Sequence, residues 1–396
     1  MANWAVAAGG SLVHKGTVLR LLITSGPFGA PRLLAASGIT AGAASASETF
    51  IGGLNTVTPI ASTIPRIGDV NPYGVAVVPQ SNGDLHQGNV LVSNFNNSGN
   101  IQGTGSTIVQ VTPGGRQSLF AQIGDLGSAC PGGVGLTTAL VALRNGWVIV
   151  GSLPTQQMNG NTVISGSGCL IVLDSRGKVR ETITGHGING PWDMTALDLG
   201  GITELFVTNV LNGTVDAAGA TVDGGTVLRL VISSGPTDSP TLLNVTQIGS
   251  GFGEHLDPAA LVIGPTGVGL GPDGILYVAD TVANRITAIP DAVFRVTDDG
   301  TGKTVTKKGA LNGPLGLAIA PGGDVLTVNS GDGNMVETTP GGKQAEVKTV
   351  DNQGDPAGAG NLFGLAVKPG ADAVYFVDDF GGPSTNGQTN NLNLFH

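Results

Sequence analysis

The stretch GPTGVGLGPDGILYVADTVANRITAI, residues 264–289, decides the fold. It opens on a turn of the form x-P-x-G and runs into a short apolar strand. A Gly-centred turn follows, then a second strand ending in Asp280, then a third. Gly and Pro punctuate, and Val, Ile, Leu and Tyr fill the strands, as the conformational needs of turns and pleated strands require.

The same grammar recurs along the chain. Inner strands are read at NPYGVAVVP (71), CPGGVGLTTAL (130), GPWDMTALD (190), GPTGVGLGP (264), GPLGLAIAP (313) and NLFGLAVKP (361). Second strands follow at 89, 146, 204, 275, 324 and 373, and several close on Asn or Asp. Units of four short strands, repeated six times, predict an all-β, six-bladed β-propeller over residues 50–396. The sixth unit supplies only three strands, ending in NLNLFH (391). Its outer strand is expected from residues 52–63, a terminal strand closure that pairs the two ends of the ring and hides a sheet edge. Small residues such as Gly74, Gly135, Gly267, Gly316 and Gly364 are expected where the six sheets converge. No segment repeats apolar residues at helical spacing, so helix should be scarce.

Residues 264–289, and 313–339 nearly as well, resemble the repeat of NHL six-bladed propellers, and gluconolactonase-like propellers more distantly. The resemblance covers roughly residues 50–396. It implies a fold rather than a reaction, because propellers of this kind include lactonases, lyases, sensors and adhesive modules. Gluconolactonase-like propellers combine a Glu from the first blade with Asn and Asp metal ligands. Here the first inner strand offers Asn71 and no Glu.

Residues 1–49 form an N-terminal extension. Residues 3–34 match 212–243 at 18 of 32 positions without a gap, and 16–21 are identical to 225–230. The original covers the outer strands of the third blade, so the copy encodes an extra β-hairpin, which is marginal alone in water. It can cap its own propeller, add strands to a neighbouring protomer through the linker ASGITAGAASASE (36–48), or be a remnant of recombination. Strand addition between copies would give a homo-oligomer or a filament through residues 1–45.

The chain of 396 residues carries 66 Gly, only 12% charged residues and a net charge of −10. Its 18 Lys plus Arg form no basic run, which excludes nucleic acid and anionic membranes as partners. No apolar run reaches the roughly 18 residues of a membrane span. The composition resembles that of secreted bacterial proteins. An extracellular or periplasmic location is expected, with another extracellular protein as the other class of partner. Residues 33–47 contain small residues at the spacing of a secretory cleavage site, but only Lys15, Arg20 and Arg32 precede them. Cys130 and Cys169 fall at one end of the second unit, and a disulfide is favoured over a metal pair, since two thiols alone do not complete a zinc site.

One face should gather the starts of inner strands, the ends of second strands and the long Asn-, Gln- and Gly-rich loops at 95–106, 153–167, 211–224 and 379–390. Binding residues expected there are Asn71, Tyr73, Trp192, Asn94 and Asn209. Asp280, Asn329 and Asp378 are candidate oxygen ligands for calcium, or else strand-ending residues bonded to turn backbone. GHGINGPWD (185–193) offers His186 as a general base with Asp193 as its orienting acid. GEHLD (253–257) places Glu254, His255 and Asp257 together. Aromatics are 4% of residues, too few for a multivalent sugar-binding propeller.

These readings predict a secreted binding or self-assembly module, and they leave open whether it is also an enzyme. The alternative is a metal-assisted hydrolase or lyase on the Asn/Asp face.

Overall fold

The computed structural model describes residues 11–14, 17–25, 31–40 and 49–396, apart from 159–160, 165, 218, 236–237, 258–259 and 381–389. The chain divides into two compact units, Met1–Glu48 and Thr49–His396.

The second unit is a six-bladed β-propeller. Its inner strands are Val70–Val77, Leu136–Ala142, Pro191–Asp198, Pro265–Leu270, Pro314–Ile319 and Leu362–Val367. Each leads an antiparallel sheet of four strands; that of blade three carries a short fifth, Leu261–Ile263. The expected closure is present. In blade six the order runs Leu362–Val367, Val374–Asp378, Asn391–Phe395, then Val57–Ser62 from the other end of the unit. The joint is reinforced nearby, where the Phe50 and Ile51 N–H groups donate to the two carboxylate oxygens of Glu337 in blade five, each at 2.8 Å. Among the described residues helix is limited to one 3-10 turn, Gly127–Ala129.

Six sheets meeting at one axis leave little room at one residue of each inner strand, the third in blades two to six and the fifth, Gly74, in blade one. A Cβ at Gly316 would lie 1.9 Å from the Phe363 carbonyl oxygen, and one at Gly364 2.2 Å from that of Tyr73. Glycine is therefore required there, and the blades can touch backbone to backbone. Blade two corrects the sequence reading. Its inner strand begins at Leu136, which faces Ser152 as Pro314 faces Asn329. Thr138, not Gly135, occupies its crowded position, and CPGG is loop. Cys130 in that loop forms a disulfide with Cys169, with their Cα atoms 5.5 Å apart. The loop brings the thiols closer than the roughly 10 Å between strands two places apart. In blade three the same position is held by Asp193.

The first unit holds three strands, Ser11–His14, Thr17–Ser25 and Pro31–Thr40, in that order in one sheet. It is thus one strand richer than the hairpin read from the repeat. Leu21 faces Ala36 and Ile23 faces Leu33, with a register shift between them. In blade three the counterparts, 209 residues on, are Leu230 facing Val245 and Ile232 facing Leu242, with a shift in the same interval. The copy thus keeps the register of the original over residues 19–24, but not at Val18, which faces Ile39 where Val227 faces Gly249. A further difference is at the other edge. In blade three, Arg229 and Thr226 face Phe206 and Asn209 of the second strand. In the extension, Arg20 and Thr17 face Ser11 and His14, which fold back from the same strand's own leading residues.

Candidate functional site

The axis has two unlike ends. At the loop end, the residues before four of the crowded positions, Tyr73, Trp192, Leu315 and Phe363, pack into one buried cluster. Tyr73 stacks on Phe95 and Phe363 with ring centroids 4.3 and 4.0 Å away, and on Trp192 at 6.2 Å. Leu315 and Val262 join the same buried cluster. The Trp192 indole N–H donates to the Val262 carbonyl at 3.1 Å. Such pairs add about 0.5–1.5 kcal/mol each beyond area burial. They seal the axis, so Tyr73 and Trp192, expected as binding residues, are its plug. Burial pushes the Tyr73 hydroxyl well above its ordinary pKa, and the nearby Asp379 charge adds to this.

Above the plug lies a crater of about 670 Å³. Ile101, Val163, Ile164, Val215, Leu256 and Leu261 supply apolar walls, and Asn100, Gln102, Thr162 and Asp257 the polar ones. These come from the loops of blades one, two and three, as the long polar loops suggested. The apolar residues were missed, and their signal was the isolated Ile or Val inside each Asn/Gly-rich stretch.

The strand-end Asn and Asp residues turn mainly to local work. Asn94 donates to the Thr63 carbonyl at 3.0 Å and to Thr107 Oγ1 at 3.2 Å, tying the closing segment to blade one. Asn71 sits at φ 60° and its N–H donates to Asn390 Oδ1 at 2.7 Å. Asn209 is fully buried, and its amide has no hydrogen-bond partner among the described residues.

Asp280, Asn329 and Asp378 do not act as one ligand set. Asp280 forms an ion pair with Arg285 at 2.7 Å inside blade four. Asn329 donates to the Ala310 carbonyl at 2.9 Å and to Asp332 Oδ1 at 3.0 Å in blade five. Asp378 accepts the Phe380 N–H at 2.9 Å in blade six. Asp280 and Asp378 are thus engaged within separate blades, while the Asn329 Oδ1 is buried without a hydrogen-bond partner among the described residues.

Two carboxylates that the sequence did not single out stand near Asp378. Asp351 shares with it a crevice of about 260 Å³ formed by blades five and six. Burial first, then the Asp351 charge, push the Asp378 carboxyl up to about 6. Burial and both neighbouring carboxylates hold Asp379 well above the carboxylate range. No short motif could have revealed this group, because its members are 27 residues apart and meet only through the sheet order.

His186 and Asp193 do not form the expected acid–base pair. His186 is exposed, at φ 55° in the turn closed by the bridge from Gly185 to Ile188. Asp193 instead accepts the Met194 N–H at 2.8 Å and, across the blade boundary, the Val268 N–H at 3.1 Å. Burial pushes its carboxyl up to about 7 against those bonds and the Thr138 hydroxyl. Glu254 is also fully buried and pushed up to about 7 by burial; it accepts the Asn212 N–H at 2.6 Å. It pins the 211–224 loop. The ring of His255 beside it lies 3.4 Å from Thr221 Oγ1.

No family model matches the sequence, and no curated protein matches it. Solved structures do match in fold. The calcium-binding protein regucalcin from Agrobacterium tumefaciens strain C58 is 13% identical over 84% of this chain and 92% of its own, with a TM-score of 0.52. A PQQ-bound aldose sugar dehydrogenase from Streptomyces coelicolor is 15% identical over 86% and 98%, with a TM-score of 0.51. A gluconolactonase from Xanthomonas campestris is 13% identical over 86% and 95%, with a TM-score of 0.50. At such identity the likeness is one of fold, the six-bladed propeller, and the NHL likeness rests on the motifs of blades four and five.

Proposed function

We propose that the protein is a binding and self-assembly module that works outside the cytoplasm, where its disulfide persists, and that its N-terminal sheet adds to a second copy. One observation carries this reading: over residues 19–24 the extension keeps the register of residues 228–233 in blade three, including one register shift. A strand pair built for that environment is suited to a copy of it. Among the described residues of the extension, Ser11–His14 pairs with residues 17–20 of the central strand. The edge at 21–24 corresponds to 230–233, which in blade three pair with the second strand. An edge left unpaired among the described residues is a template for strand addition. The loop-face crater then serves as the site for a partner outside the assembly. Light scattering tests the reading. Full-length protein is expected to grow in mass with concentration, and protein lacking residues 1–48 to stay monomeric. Full-length protein that is monomeric throughout contradicts it.

A hydrolase or lyase is the second reading, favoured by the crevice that holds Asp351 and Asp378. A carboxyl pushed up to about 6 is suited to proton transfer near neutrality. A lactone, the substrate class of the gluconolactonase with the same fold, is the natural probe. Hydrolysis abolished by Asp378→Asn would favour the enzyme. The absence of turnover across a panel of lactones and esters would favour the module.

A further inference from the structure

Beyond the plug the axis opens into a mainly polar channel of about 520 Å³ with Asp193 on its wall. The most exposed large apolar side chains of the described residues lie elsewhere. They are Phe294 and Val296, 83% and 77% exposed, in the loop at 290–302 of blade four. That loop is tied to the outer strands of blade three. The Val293 carbonyl accepts from Arg229, which faces Thr246. Asp298 Oδ2 accepts from the Gln247 amide at 2.7 Å, the Asp299 N–H donates to the Ile248 carbonyl at 3.1 Å, and the Ser250 N–H donates to that of Gly300 at 2.9 Å. The loop thus covers the outer edge of blade three at 247–250. Among the described residues no strand or backbone bond from another segment covers that edge at 241–246. Leu243 there is 55% exposed.

The other blades guard their outer edges as sheets usually do, with charge or Pro. Val179–Ile183 carries Arg180 and Glu181, Lys303–Lys307 has a Lys at each end, and Gln344–Thr349 carries Glu346 and Lys348. The closing strand Val57–Ser62 carries Pro59. Gln117–Gln122 of blade one is uncharged, but Gly177 of blade two lies against its Phe120 carbonyl. Thr241–Asp257 of blade three has neither charge nor Pro from 241 to 253. Its one irregularity at the open end is the shift at Leu243.

The sequence of this edge fits the extension. Residues 241–247, TLLNVTQ, repeat 203–209 of the second strand, TELFVTN, at four of seven positions. That second strand is the partner of Val222–Ser233, and Thr17–Ser25 is the copy of the latter. The extension's central strand therefore finds at 241–247 a strand like the one its original pairs with. The same register would set Leu21 against Leu243 and Ile23 against Thr241. The charges agree as well. The extension holds Lys15, Arg20 and Arg32 against Glu48 alone, so the chain's excess of acid lies in the propeller.

We propose that the outer edge of blade three at 241–246, with Phe294 and Val296 on the adjoining loop, is the surface on which a second copy lays its N-terminal sheet. This rests on the self-assembly reading and names the acceptor in that assembly. Light scattering of the full chain tests it with two changes at exposed positions, Leu243→Lys and the pair Phe294→Ser with Val296→Ser. Each should raise the concentration of half-association about tenfold or more, the Lys because it guards the edge and meets a basic partner. Ser118→Lys, on the uncharged edge of blade one, should change it by less than about twofold. Hydrogen–deuterium exchange on the wild-type chain reads the same edge without a substitution. Amides at 241–246 should gain protection as concentration rises, and those at 117–122 should not. Unchanged association in folded Leu243→Lys, an equal loss in Ser118→Lys, or no gain of protection at 241–246 while the chain associates would overturn the acceptor and leave self-assembly standing. A wild-type chain that never associates would overturn both.

Discussion

Strands Thr17–Ser25 and Pro31–Thr40 and the outer strands of blade three carry nearly the same sequence in two settings. Over residues 19–24 and 228–233 the pairing between the two strands is the same in both, down to the shift between Leu21 and Ile23, whereas blade three has a further shift between Val227 and Leu228 that the extension lacks. What lies beside them is not. In blade three the pair continues a sheet that begins at Pro191–Asp198, and Leu228, Leu230 and Ile232 are buried in one cluster with Leu170, Met194 and Leu205. In the extension the neighbouring place is taken by Ser11–His14, folded back on the strand it precedes. Register is thus a local property, set by alternation and the bulge, whereas the partner at the edge is set by what the chain has within reach.

The comparison can be broken by making the same change twice. Leu230 is fully buried. Leu230→Ala should cost the propeller about 2–5 kcal/mol in denaturant unfolding. The matching Leu21→Ala should leave propeller unfolding unchanged to within about 0.5 kcal/mol. Equal losses would mean that the two units fold as one.

A smaller effect is expected from Glu254, for which the copy has Ser45. Its folded pKa is raised to about 7, so the folded state holds its proton more tightly than the unfolded chain does. Its contribution is therefore complete below the ordinary carboxylate pKa and is lost as pH rises through about 7. Unfolding free energy measured from pH 5 to pH 8 should fall by about 1–3 kcal/mol through this group. Glu254→Gln should flatten that part of the slope, and Ser45→Ala should not. An unaltered slope in the Gln variant would assign the dependence to other buried acids, Asp193 among them.

The smallest difference concerns Arg229, which lies 3.9 Å from Glu204 and donates to the Val293 carbonyl. Arg229→Met should cost about 1 kcal/mol, and the matching Arg20→Met nothing measurable in the propeller. A cost above that of Leu230→Ala would show the polar contact outweighing the apolar one.

The fold was legible because its punctuation is local. Each x-P-x-G turn fixes where an inner strand starts, and the missing strand of blade six pointed to residues 52–63. Blade two was misplaced because its CPGG resembles the turn while serving the disulfide. The candidate site was less legible. His186 and Asp193 are seven residues apart, yet one lies in an exposed turn and the other lines the axial channel. Tyr73 and Trp192 looked like binding residues because aromatic side chains suit both surfaces and plugs. Only the convergence of the blades decides between the two. Asp351, Asp378 and Asp379 meet through sheet order, which no spacing rule encodes. The odd acid at a glycine position in blade three was visible in the repeat, and the convergence of the blades places it on the wall of the axial channel.

The claim that the extension completes its sheet on a second copy is tested most directly by hydrogen–deuterium exchange of the backbone amides at 21–24, followed as protein concentration rises. Protection that increases with concentration, in step with mass, is the predicted result. Fast exchange at every concentration, with the blade-three amides at 230–233 protected throughout, would contradict it.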